Sequence, residues 1–142
     1  MGSMISLKAA DGATVTAYQA APLQGPVKGG IVVLQEIFGV NAHIRAVTDG
    51  FAAQGYLAIA PGLFDRMRPG ADLGYTATDV NLGASFKAVI EELPAPGVMQ
   101  DIAAAIAAVA GAGKVGVIGY CWGGKLAWRA ACELPGVGAA VS

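Results

Sequence analysis

Residues 114–124, Lys-Val-Gly-Val-Ile-Gly-Tyr-Cys-Trp-Gly-Gly, constrain what this chain can fold into more than any other stretch. Their first six residues predict a buried strand ending at Gly119, and the residues from Trp122 onward read as a helix. A chain that passes from strand to helix within two residues must turn sharply, and the turn presents one side chain at the end of the sheet. That residue is Cys121. Glycines two before and two after it remove the Cβ atoms that such a turn would crowd. The free N–H groups and positive dipole end of the helix point at the turn, where they favour a thiolate and a developing oxyanion.

The G-x-C-x-G spacing therefore has the form of a nucleophile elbow. The residues alone leave two readings of Cys121 open: a nucleophile, or a small buried hydrophobe in a plain glycine-rich connection.

Only 13% of the 142 residues are charged and 21 are glycine. An ordinary domain carries about 25% charge, so this chain has more apolar surface than a compact body of its size is expected to bury. It is expected to be part of something larger. The longest uncharged stretches, 102–113 and 115–124, are separated by Lys114. Neither is long enough for a membrane span, and no membrane association is expected. A net charge of −1 without a basic run gives no footprint for nucleic acid. On one helix, Cys121 and Cys132 would lie too far apart for a disulfide, and two unpaired thiols suit a reducing, cytoplasmic compartment. Met1-Gly2-Ser3 ahead of Met4 reads as a vector-derived leader, leaving 4–142 as a single domain.

Residues 5–9 and 14–20 alternate around Asp11-Gly12 and predict a β-hairpin. Residues 22–26 form a loop, and the β-branched run 30–35 predicts a central strand covered on both faces. Asn41 should cap a helix to about residue 54, with Ile44, Val47 and Phe51 on its buried face and Gly55 as its stop. Residues 56–60 form the next strand. The charged segment 62–74, with Asp65, Arg66, Arg68 and Asp72, is expected on a rim. Leu82, Phe86, Val89, Ile90 and Leu93 mark one helix face; Ile102, Ile106 and Val109 mark another. Strands alternating with helices imply a mainly parallel sheet with flanking helices behind the N-terminal hairpin.

Ligands of an open parallel sheet bind at the carboxyl ends of its strands. The strand ending at Gln35 releases Glu36-Ile-Phe-Gly-Val-Asn41 on the same side as Cys121. In elbow enzymes the oxyanion hole combines the N–H after the nucleophile with one from this loop. Here those are Trp122 and Ile37.

Gln35-Glu-Ile-Phe-Gly-Val-Asn-Ala42 followed by Gly119-Tyr-Cys-Trp-Gly-Gly124 resembles the dienelactone hydrolases. The spacing of the two motifs and the strand from Lys114 match as well, and the likeness runs from about residue 5 to Ser142. It implies an α/β-hydrolase fold and cofactor-free, metal-free hydrolysis of a small lactone or ester. It makes Cys121 the nucleophile, Ile37 and Trp122 the oxyanion donors, and Glu36 a carboxylate that interacts with the thiol and moves when substrate binds.

A free thiol is ionised to only a few per cent at neutral pH, so it needs a base or a positive environment. Glu36 fits that need if its site is desolvated, and its alternative role is to cap nearby backbone N–H groups. Trp122 has packing as its alternative. His43, the only histidine, falls inside the helix after Asn41 and reads as a surface residue; Tyr120 is expected in the sheet packing and Cys132 in the core.

The pattern breaks after the nucleophile. Elbow hydrolases place an acid and then a histidine there, but beyond Cys121 this chain has only Glu133, far down the helix, and no histidine. Residues 136–142 read as the start of a further strand, so the expectation is an N-terminal portion of a longer hydrolase, its fold incomplete at the C-terminus. Its exposed sheet edge would favour self-association or a complementing fragment. Arg66 and Arg68 are candidates for holding a substrate carboxylate. The competing reading is a non-catalytic assembly module with a vestigial elbow.

Overall fold

The structure, a computed structural model, describes residues 1–94 and 97–142. Six strands, β1 (Ser3–Lys8), β2 (Thr14–Ala20), β3 (Gly30–Leu34), β4 (Leu57–Pro61), β5 (Val115–Gly119) and β6 (Val137–Val141), form one sheet in the order β1-β2-β4-β3-β5-β6. β3, β4, β5 and β6 run parallel; β2 pairs antiparallel with β4, and β1 antiparallel with β2. β1 starts at Ser3, so the pairing with Gln19 reaches one residue ahead of Met4; backbone pairing requires no particular side chain there.

Helices α1 (Ala42–Ala53), α2 (Ala77–Glu92), α3 (Val98–Val109) and α4 (Trp122–Glu133) cover the sheet. Two apolar clusters divide them. Val33, Ala60 and Tyr18 pack with Ile44 and Ala52 of α1, while Val32, Leu34, Ile59 and Val117 pack with Phe86, Ile102, Ile106, Leu126 and Ala127 of α2, α3 and α4. Both faces of β3 are covered, as its unbroken apolar run requires.

α1 follows from local chemistry. The Asn41 side chain accepts from the Ile44 N–H, and Gly55 adopts φ 98° just past the end. Ile44 is fully buried, with Val47 and Phe51 half-buried against the second cluster. α2 differs from expectation: it begins at Ala77 under a Thr76–Asp79 capping box, and only Gly83, Phe86 and Ile90 are buried along it. Leu82 and Val89 are exposed, because the helix meets the core along one narrow stripe.

The connection order positions the site. After β3 the chain moves to one side, to β4; it then crosses back to β5 on the other side of β3 and continues outward to β6. The loops leaving β3 and β5 thus diverge and open a crevice at the carboxyl ends of these strands, the topological switch point where ligands of such sheets bind.

Candidate active site

Leu34 pairs with Gly119 in register, so Glu36 and Cys121 each leave the sheet two residues later on adjacent strands. The Tyr120 N–H donates to the Leu34 carbonyl at 3.2 Å, continuing the contact past the strand ends. The turn then closes through Gly123 N–H to Tyr120 O and Gly124 N–H to Cys121 O, both at 2.9 Å. Cys121 sits at φ 53°, ψ −116°, the one non-glycine with positive φ among the described residues. Such backbone costs about 1–3 kcal/mol and persists only where the surroundings enforce it. They do: a Cβ on Gly123 would lie 2.5 Å from the Leu34 carbonyl oxygen and 2.6 Å from that of Gln35. The start of α4 is therefore pressed onto the end of β3, and Cys121 is left exposed above it.

Trp122, buried next to Cys121, stacks on Phe64 (centroids 5.4 Å, 20° between planes), and its Nε1–H donates to Glu91 at 3.1 Å. Lys125 donates to the same carboxylate at 2.7 Å. The Lys125 ammonium, against burial, and then the indole N–H hold Glu91 below the usual carboxylate range. The side chain of Trp122 thus ties the elbow to α2, which leaves its backbone N–H as the part able to act in chemistry.

The loop from β3 is fixed at several points. Gln35, fully buried, accepts from the Leu63 N–H at 3.0 Å and donates to the Glu36 carbonyl at 3.1 Å. Gly83 of α2 lies so close to the Ile37 carbonyl that no Cβ fits between them. The Phe38 carbonyl accepts from Leu73 N–H at 2.8 Å, and Gly39 forms a bridge with Asp72. Glu36 is half-buried and accepts from the Tyr75 hydroxyl at 3.4 Å. Among the described residues no hydrogen bond links Glu36 to Cys121; the sheet brings both to the carboxyl ends of adjacent strands without joining them. No three His, Cys, Asp or Glu side chains among the described residues converge as a metal site requires.

Residues 15–142 match the model of the dienelactone hydrolase family. The chain belongs to that family. A relative from Pseudomonas putida, named carboxymethylenebutenolidase, is 35% identical over 133 residues, which cover 91% of this chain and 55% of the relative. A Methylorubrum extorquens protein provisionally given the same name is 38% identical over 133 residues, 90% of this chain and 44% of its own. A solved Klebsiella pneumoniae structure, provisionally named a dienelactone hydrolase, superposes with TM-score 0.73 at 31% identity, over 97% of this chain and 58% of that one. The fold is thus that of the α/β-hydrolases, and the chain spans about half the length of the curated relatives it matches.

The other sequence candidates of this dienelactone hydrolase family member have these surroundings. Arg66 is bound on both sides, to the fully buried Asp101 (Nε 2.9 Å, Nη2 2.8 Å) and to Asp11 (Nη1 2.7 Å), which commits it to tying the hairpin turn to α3. Arg68 is exposed. His43 is exposed on α1, its ring 6.1 Å from that of Tyr120. Glu133 is paired with Arg129 at 2.8 Å at the far end of α4. Cys132, expected in the core, is exposed: α4 buries Leu126, Ala127 and Ala130, and Cys132 lies four residues from the exposed Trp128 on the opposite face. Tyr75 and the bracing role of Gln35 were not evident from the sequence. Tyr75 carries no periodic signal, and Gln35 reads merely as the end of a strand.

Proposed function

We propose that this chain is the nucleophile-bearing portion of a hydrolase acting on a small lactone or ester. In this reading the Cys121 thiolate attacks the carbonyl carbon, the Sγ–C bond forms, and the negative oxygen is held by the backbone N–H groups of Trp122 and Ile37. Collapse expels the alcohol oxygen, which takes a proton, and leaves a thioester that water then cleaves. Glu36 serves as the carboxylate that works on the thiol. The acid and histidine that complete turnover are proposed to belong to a region beyond this sequence, since Glu133 is the one acid after Cys121 and no histidine follows it. The observation that carries the proposal is the enforced positive-φ backbone of an exposed Cys121 at the start of α4.

Alkylation tests it. Both cysteines are exposed, so accessibility alone predicts equal rates. Cys121 lies at the positive end of α4 and Cys132 in its last turn, where the dipole opposes negative charge. Iodoacetamide should modify Cys121 roughly tenfold faster, and Gly123→Val, which forces the elbow off β3, should erase most of that difference. Peptide mapping that finds Cys132 as reactive as Cys121 in the parent chain contradicts the elbow.

The alternative role in assembly receives support from one feature. β6 is bonded only to β5 among the described residues, and Ala139, Ala140 and Val141 on it are exposed. We propose that the 142-residue chain self-associates or takes up a complementing strand along this edge. Sedimentation should show species above monomer mass, and a stable monomer at high concentration contradicts it. No helix among the described residues is long and apolar enough to cross a membrane.

A further inference from the structure

We propose that Tyr75 is a positioning residue for Glu36, its hydroxyl proton directed onto the Glu36 carboxylate by the side chain that caps α1. The proposal rests on the reading of Glu36 as the carboxylate that works on Cys121. Asn41 uses its Oδ1 to accept from the Ile44 N–H at 3.1 Å, which fixes the amide orientation. Its Nδ2 therefore faces Tyr75, 3.1 Å from the hydroxyl oxygen, and also the Leu73 carbonyl at 3.4 Å. An amide NH2 group can only donate, so the phenol oxygen accepts and its one proton is free for another partner. That partner is Glu36 Oε2 at 3.4 Å. A long bond of this kind is common in an unliganded catalytic site and tightens when substrate binds.

Packing places the phenol without burying it. Its ring meets the buried Phe38 ring edge-on at 4.6 Å, while Tyr75 itself is 58% exposed. The strand-like bridge of Asp72 to Gly39, the Leu73 N–H to Phe38 O bond and the Arg45–Asp72 ion pair at 2.9 Å hold residues 72–75 against the 36–41 loop. A large exposed aromatic whose side-chain partners all lie on the loop that carries Glu36 contributes little to the core. What it supplies is direction: helix cap, amide, phenol and carboxylate form one chain of donors with a single polarity.

The test uses the 142-residue chain in a Cys132→Ser background, comparing the parent with E36Q, Y75F and the double variant. The readout is the rate of Cys121 alkylation by iodoacetamide as a function of pH. Tyr75→Phe keeps the ring on Phe38 and removes only the hydroxyl. E36Q should displace the pH–rate profile, and Y75F should displace it in the same direction, with a rate change of roughly threefold in the mid-range. In the E36Q background Y75F should add nothing. A parent-like profile in Y75F alongside a displaced E36Q overturns the proposal, as does a Y75F effect that persists undiminished in the double variant. An unchanged profile in E36Q shows instead that the Glu36 reading fails, and Tyr75 loses its role with it.

Discussion

Replacing Arg66 with Ala should cost the fold about 3–5 kcal/mol, the range found when one partner of a buried ion pair is removed. The Asp101 carboxylate is fully buried in the first turn of α3, and Arg66 contacts both of its oxygens. Burial pushes the Asp101 carboxyl up from its ordinary value while Arg66 opposes that rise; with two carboxylates around it, the guanidinium is held firmly charged. In the variant, burial acts unopposed, and the charges of Asp11 and Asp65 add to it. The folded chain then holds the Asp101 proton more tightly than the unfolded chain, so the contribution of this group is most favourable in acid and is lost as pH rises through the folded value. The deficit against the parent chain should therefore be largest near neutrality and shrink as the solution is made acidic. Urea denaturation followed by circular dichroism measures both. A variant within about 0.5 kcal/mol of the parent at neutral pH, or a deficit that widens in acid, contradicts this account of the Asp11–Arg66–Asp101 link.

The other large effect is on chemistry. Cys121→Ala should remove the acyl group that an activated aryl ester places at the carboxyl ends of β3 and β5, leaving only the slow, scattered labelling of exposed lysines and Cys132. In a longer form of the protein that supplies a histidine base, kcat/KM for a small ester or lactone should fall on the order of 10^4-fold or more, the scale seen when the nucleophile of such a site is deleted. Steady-state hydrolysis, with folding of the variant checked first, gives the number. Glu36→Ala should reduce the rate far less, since it leaves the proposed nucleophile and oxyanion donors in place. A Cys121→Ala variant that retains a tenth of the activity would require a different nucleophile.

Much of this architecture could be read from the residues because local and global preferences agree. The Asp11-Gly12 hairpin, the Asn41 cap and Gly55 stop of α1, the β-branched run of β3 and the glycine-flanked Cys121 all formed as their chemistry dictates. What stayed hidden depends on which stripe of a helix meets the core. Leu82 and Val89 share apolar character with Phe86 and Ile90 yet face solvent, and Cys132 is four residues from an exposed Trp128, so residue type misleads at these positions. The segment 62–74, expected on a rim, is buried from Gly62 to Asp65, because Leu63 and Phe64 join the core; its charge is legible in the sequence, but its partners are not. Arg66 is claimed by Asp101, thirty-five residues away, and Asp11, fifty-five away, separations that no local pattern encodes. Tyr75 was invisible for the same reason: its meaning comes from Asn41 and Glu36 across a loop contact.

The central claim is that Cys121 is a nucleophile. It is tested most directly by incubating the 142-residue chain with an activated aryl acetate, then digesting it and locating the acyl group by mass spectrometry. The elbow predicts one acetyl group, on the peptide carrying Cys121, forming faster as pH rises and persisting, since no histidine follows Cys121 in this sequence to drive water onto the thioester. Acetyl groups spread over lysines and Cys132, with none enriched at Cys121, would contradict it.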